Sequence, residues 1–217
     1  GGVVIEEGEE AAEVMIDDDL FTRYTFKGEE KPYFYPVIGP YGDGVTRNYP
    51  MKRGVEGEAT DHPHQKSLWF THGDVNGTSY WHIGNDTGEQ HHKGFAVLEG
   101  GPVMGRLQET IEWVKKQDGT KDCESVRDVK FYPIGDDEVI LDWTEVVKAS
   151  NGKVVFGDTK EGTFGWRVAW TMRTDKDKGG KILNSNGETD GGAWGKQAGW
   201  CDYSGPVQEG TYGVTLL

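Results

Sequence analysis

Residues 61 to 82 contain four of the six histidines of this chain, at positions 62, 64, 72 and 82, mixed with Trp69, Trp81, Asp61, Asp74 and Asn76. Apolar core-formers are sparse in the stretch, so it reads as a site rather than a packing segment. Neutral imidazole near pH 7 serves as a metal ligand, a proton shuttle or a hydrogen-bond partner for a hydroxyl-rich ligand. In extended chain, residues two apart face the same side at roughly 6–7 Å, so His62 and His64 aim two rings at one small object. Pro63 has no amide hydrogen, which puts the pair on a sheet edge or in a loop leaving one. His72 is expected to join them. The plainer reading, imidazoles bracing loop backbone, competes for each histidine taken singly.

A second polar block, Gly157-Asp158-Thr159-Lys160-Glu161-Gly162-Thr163-Phe164-Gly165-Trp166-Arg167, lies between two clear strands. The third runs from Trp194 to Gly205 and carries Lys196, Trp200 and Asp202. Tryptophan faces beside charged groups suit a sugar, rings against C–H groups and charges against hydroxyls. Core packing is the alternative for Trp194 and Trp200.

The elements that must position these residues are short strands. Thirty-three glycines without a collagen period signal many turns, and 12% aromatics, eight of them Trp, supply core volume. Residues 3–16 hold a β-branched run and an acidic patch, a strand and turn or a brief helix. Leu20–Phe26 alternates as a strand. Pro32–Pro40, with three prolines, predicts an extended edge strand. Tyr41–Ala59 is a long connection leading to the histidines, and connections of that length are usually functional or disordered. Phe95–Leu98, Val103–Val114, Val126–Tyr132, Glu138–Lys148 and Gly165–Arg173 read as strands. Asp118-Gly119 and Asn151-Gly152 read as hairpin turns, the latter before Val154–Phe156. Asp175–Gly180 reads as a polar turn, and Ile182-Leu183 begins the last part. We expect an all-β protein, a single antiparallel β-sandwich domain over residues 1–217 with long functional loops.

Lys plus Arg is 23 and Asp plus Glu is 37, a net charge of −14. Such a surface repels phosphate backbones and anionic lipid, so nucleic acid is excluded as a partner and neutral sugars or polyols and cations are favoured. No apolar run approaches the roughly 18 residues of a membrane helix. The start, Gly1-Gly2-Val3-Val4-Ile5, has neither methionine nor a basic leader region, as expected of a processed or partial chain. Cys123 and Cys201 are too few for a disulfide framework, and whether they pair stays open.

Three motifs, Asp-His-Pro-His-x-x-x-Leu-Trp-Phe-x-His-Gly-Asp-Val-Asn-Gly (61–77), Gly-Asp-Thr-Lys-Glu-Gly-x-Phe-Gly-x-Arg (157–167) and Trp-Gly-Lys-x-Ala-x-Trp-Cys-Asp-Tyr-Ser-Gly (194–205), resemble the PmoA-like family, bacterial proteins labelled "methane oxygenase PmoA". The resemblance covers most of the chain from about Pro32 onward. It implies a soluble β-sandwich, often exported to the periplasm or secreted, found among sugar-catabolic genes beside sugar oxidoreductases. Gln65 and Lys66 depart from it, standing where relatives often carry His and Arg. It also implies a further block with another histidine beyond Leu217, so that the chain is expected to be truncated relative to the family.

Two functions follow. One is a carbohydrate-processing enzyme, hydrolase, lyase or epimerase-like, acting by acid–base chemistry on a sugar or oxidised sugar. Its catalytic residues are His62, His64, His72 and Glu161, with Asp158 an alternative carboxylate and Arg167 or Lys160 holding an anionic oxygen. Asp74, Asn76, Trp81, Asp158, Lys160, Arg167, Trp194, Lys196, Trp200 and Asp202 are expected to bind substrate. A metal-assisted variant has a divalent ion held by His62, His64 and His72. The other function is non-catalytic, an extracellular carbohydrate-binding or self-assembling β-protein, with homo-oligomers formed by strand addition. Convergence of His62, His64 and Glu161 on one pocket would favour catalysis.

Overall fold

The computed structural model describes residues 1–175 and 178–217. Thirteen strands form three antiparallel sheets among these residues. The first sheet has the order β1 (Val3–Glu7), β2 (Ala11–Ile16), β3 (Asp19–Thr25), β4 (Tyr33–Val37), β5 (Leu68–His72), β10 (Gly162–Trp166). The second is a four-stranded meander, β6 (Gly88–Glu99), β7 (Gly105–Lys115), β8 (Lys121–Ile134) and β9 (Glu138–Lys148). The third is β11 (Lys181–Asn184), β12 (Cys201–Val207) and β13 (Gly210–Leu216).

Side-chain alternation explains the layering. Along β7, residues 105, 107, 109, 111 and 113 are buried and their neighbours half-exposed. The buried faces of the first two sheets meet, with Val14, Tyr24, Phe34 and Leu68 packed with Leu107, Val129 and Phe131. Val207 and Tyr212 bring the third sheet to the same core. The all-β expectation holds, and among the described residues only two short 3-10 turns, Trp170–Met172 and Asp190–Ala193, interrupt it.

Several local expectations are corrected. Residues 3–16 form two paired strands, the strand-and-turn alternative and not the helix. The proline-rich strand β4 is interior, because its prolines shorten pairing instead of forcing it to an edge: only Tyr33 and Phe34 pair with β5. His91 and His92 belong to β6, which starts at Gly88 rather than Phe95. No hairpin follows Asn151-Gly152; Phe156 bridges to Val75 instead. The strand expected to reach Arg173 stops at Trp166. The polar turn Asp175–Gly180 includes residues 176 and 177, which lie outside the described residues. Cys123 is buried, Cys201 half-buried, and both are free.

Charge is buried between the two large sheets. Arg127 donates from Nε to Glu145 Oε2 at 2.9 Å and from Nη1 to the Tyr24 hydroxyl at 2.7 Å. The Tyr24 hydroxyl in turn donates to Glu109 Oε1, and Glu109 Oε2 lies 2.5 Å from His92 Nδ1. Ser125 and the Trp143 indole also donate to Glu145, at 2.7 and 3.2 Å. Burial pushes the Glu109 carboxyl up to about 8, with Arg127 opposing and Glu145 adding to the rise. Burial, then Lys27, lowers His92 to about 4, so both partners are neutral near pH 7.

Removing Arg127 leaves the Glu145 carboxylate buried without its cation, so Arg127→Met should cost about 3–5 kcal/mol in urea unfolding. Glu109→Gln should cost far less near pH 7, since it replaces a neutral carboxyl. Folded Glu109 keeps its proton up to about 8, whereas the unfolded carboxyl loses it near 4.5. The stability it contributes is therefore present below about 4.5 and lost as pH rises through about 8. Unfolding curves of wild type and Glu109→Gln between pH 5 and 9 should show the wild-type advantage shrinking with pH.

Candidate functional site

Between β4 and β5 the chain runs through residues 38 to 67 without a named strand, and this segment carries His62 and His64. Carbonyls in such a segment need donors from elsewhere. Arg167, one residue beyond β10, supplies them. Its Nη1 donates to the carbonyls of Tyr49 (3.2 Å), His62 (3.3 Å) and Gln65 (3.2 Å). Its Nη2 donates to the Asp61 carbonyl at 3.0 Å and to Asp61 Oδ1 at 2.9 Å. Buried Arg47 reaches the same Oδ1 at 2.7 Å and the Glu58 carboxylate at 2.6 Å, while its guanidinium stacks 4.3 Å from the Trp170 ring centre.

Held this way, the loop bends sharply. His62 and Ser67 both adopt left-handed backbone, with φ of 49° and 58°, an unfavourable conformation for such residues unless surrounding bonds impose it. The His62 ring lies 5.8 Å from that of His64, and its Nδ1 is 3.2 Å from Asp61 Oδ2. His82 completes the group, 5.0 Å from His64. It arrives because the turn at Asp74–Thr78 sends the chain back along β5: the Tyr80 amide meets the His72 carbonyl, the Trp81 ring meets Trp69 at 5.1 Å, and His82 meets His64.

Electrostatics separate the roles of these groups. Partial burial alone would raise Asp61, but the bond to His62 and the charges of Arg167 and Arg47 hold it at about 2. Partial burial, followed by His82, Lys31, His62 and Arg167, lowers His64 to about 4, so its imidazole is neutral at pH 7. Lys31, 1% exposed, donates to the Trp81 carbonyl at 2.9 Å. Burial and neighbouring Lys66 bring its ammonium down to about 7, against the pull of Glu30 and Glu29.

The other residues expected at the site are elsewhere. β10 runs antiparallel to β5, pairing Trp166 with Leu68 and Gly162 with His72. The second polar block is therefore stretched along β5: Arg167 sits at the His62 end and Glu161 at the His72 end, roughly 20 Å of chain away. His72 is buried, with Nε2 2.9 Å from the Gly157 carbonyl and its ring 5.0 Å from Phe156. A Cβ at Gly162 would lie 2.3 Å from His72 Nδ1, so the ring is pressed onto the neighbouring strand. The trio His62, His64 and His72 does not assemble, and among the described residues no group of three or more His, Cys, Asp or Glu is arranged to hold a metal ion.

Glu161 lies beside Gly73, whose amide donates to its carbonyl at 2.6 Å, and the carboxylate of the histidine group is Asp61 instead. Asp158 and Lys160 are exposed at that same far end. Asp74 and Asn76 serve structure. Asp74 caps its own turn at the Gly77 amide, 2.9 Å, and Asn76 bonds Asp122, the Lys153 carbonyl and the Val155 amide. Trp81 is packed against Tyr33 and Trp69, so its faces are not offered to a ligand. Arg167 is committed to the loop.

Trp194 is 81% exposed, Lys196 is exposed, Trp200 half-buried, and Asp202 accepts from Thr215 at 2.9 Å. No hydrogen bond, ion pair or ring contact among the described residues joins these four to the histidines. Asp61, His82 and Lys31 were not picked out by spacing. Asp61 and His82 lay at the ends of the histidine stretch, and adjacency to His62 was the available signal for Asp61.

The class is thus an all-β protein of three antiparallel sheets with a cluster of histidines on a loop held by arginines. The chain belongs to the family of unknown function DUF6807, whose pattern matches residues 11–217. No curated protein and no solved structure matches it. Among the described residues no helix is long and apolar enough to cross a membrane.

Arg167→Met should loosen residues 59–66 at a cost of about 2–4 kcal/mol, since four carbonyls and the Asp61 carboxylate lose their donor. Hydrogen–deuterium exchange should show faster exchange confined to this loop. Arg167→Lys should not restore protection, because an ammonium cannot span the four carbonyls.

Proposed function

We propose that the protein is a carbohydrate-processing enzyme working by acid–base chemistry at His62, with Asp61 as its orienting carboxylate. The observation that carries the reading is the Asp61–His62 pair, with Asp61 fixed by two arginines and the His62 side chain 55% exposed. His62 donates its Nδ1–H to the Asp61 carboxylate, which leaves Nε2 free toward solvent. Nε2 then accepts a proton from a substrate hydroxyl or activated C–H, and the carboxylate stabilises the imidazolium until the proton is returned. His64, neutral at pH 7, accepts a second substrate hydroxyl. The Arg167 charge beneath the loop favours developing negative charge on an oxidised sugar or enolate without contacting it.

The acidic surface disfavours phosphorylated ligands. The likeness of the three motifs to PmoA-like proteins supports the sugar class and an extracytoplasmic location. A second reading, sugar binding without turnover, is supported by the exposed Trp194 ring beside Lys196.

The test is an NMR screen of neutral and oxidised glycosides with wild type, Asp61→Asn and His62→Ala. Turnover should drop about 10²–10⁴-fold in both variants. Acidification through about 4 should abolish residual activity as His64 takes up a proton. A sugar converted equally well by His62→Ala sinks the proposal. A sugar bound but unchanged, with affinity lost in Trp194→Ala only, establishes the second reading.

A further inference from the structure

Strand β9 is the outermost strand of the four-stranded sheet and one of its long edges is unpaired. Its pairing to β8 runs from Ile134↔Glu138 to Glu124↔Lys148 without a bulge. No backbone hydrogen bond among the described residues reaches the outer edge of β9 between Glu138 and Val147. A regular edge eleven residues long is a template for another strand, and proteins usually blunt such edges with prolines, bulges or short length. None of these devices is present here. The single inward charge, Glu145, is already neutralised by Arg127.

We propose that β9 pairs with β9 of a second copy of this chain, joining two four-stranded sheets into one of eight. The occupant is identified by self-complementarity. Antiparallel pairing about a two-fold axis at Trp143 sets Glu138 opposite Lys148 and Ile140 opposite Val146 on the outer face, with Asp142 opposite Thr144. Ile140 and Val146 are 51% and 47% exposed in the single chain, and each then covers the other. The inner face sets Val139 opposite Val147, Leu141 opposite Glu145 and Trp143 opposite Trp143, and Glu145 keeps its ion pair with Arg127 of its own chain. Pairs directly opposite must share a face, so the register slips only in steps of two residues. One slip puts Asp142 opposite Asp142, and the other puts Ile140 opposite Lys148. Of these three registers, the one centred on Trp143 sets opposite charges at both ends and joins Ile140 to Val146. The interface is isologous, as expected of a closed dimer.

Sedimentation velocity of the whole chain between about 1 and 100 μM, with circular dichroism to confirm folding, tests this. Wild type should be a dimer in that range. Lys148→Glu, which sets Glu against Glu138 of the partner, and Glu138→Lys, which sets Lys against Lys148, should each weaken dimerisation at least tenfold. The double swap Glu138→Lys with Lys148→Glu should restore it, because the opposite charges face each other again. A monomeric wild type at 100 μM overturns the proposal. So does a dimer indifferent to the single reversals, or one that the double swap fails to recover while remaining folded.

Discussion

A long segment without strand partners can hold one shape only if its carbonyls find donors, and in this protein the donors come from two guanidiniums. Arg167 stands one residue past β10, so its backbone is fixed by the first sheet while its side chain reaches four main-chain oxygens and Asp61. Arg47 ties the same carboxylate to Glu58 and stacks on Trp170. The left-handed turn at His62 and the approach of its ring to His64 both follow from that anchoring. Without it the site would be a set of side chains on a free loop.

Strand β5 acts as a strut with two different ends. At one end lie the histidines, Asp61 and Lys31; at the other, His72, Asp74 and Asn76 bind the loop of residues 153–157 through Gly157, Val155 and Lys153. The two ends share a polar composition and differ in purpose. One exposes imidazole nitrogen to solvent, and the other spends its polar groups on main chain.

Much of the fold was legible because alternation in β7, β8 and β9 is regular and the hairpin at Asp118-Gly119 is a strong local signal. The interior position of β4 was not, since proline argues for an edge and only tertiary pairing shows that two residues suffice to keep it inside. The His62–His64 approach was expected from extended spacing, but it arises through a left-handed turn at His62 instead. The exclusion of His72 was not, because it depends on how far β5 extends before the chain turns, and Gly73 and Gly77 made that turn unreadable. The buried ion network had a signal that alternation itself carried: Glu145 falls on the same face as Val139, Leu141 and Trp143. A carboxylate in that position points inward, and its cation must come from another strand, which no local pattern identifies.

The arginine clasp reads the main chain of the loop rather than its side chains. Carbonyl oxygens at Tyr49, Asp61, His62 and Gln65 would be presented by almost any residue placed there, so the path of the loop is largely independent of what its positions display. Natural drift, or deliberate grafting, at Pro63, His64 and Gln65 can therefore change the side chains displayed while leaving the path of the loop in place. Asp61 alone among these loop residues is held by the arginines through its side chain as well as its backbone, and it is the position where such freedom ends.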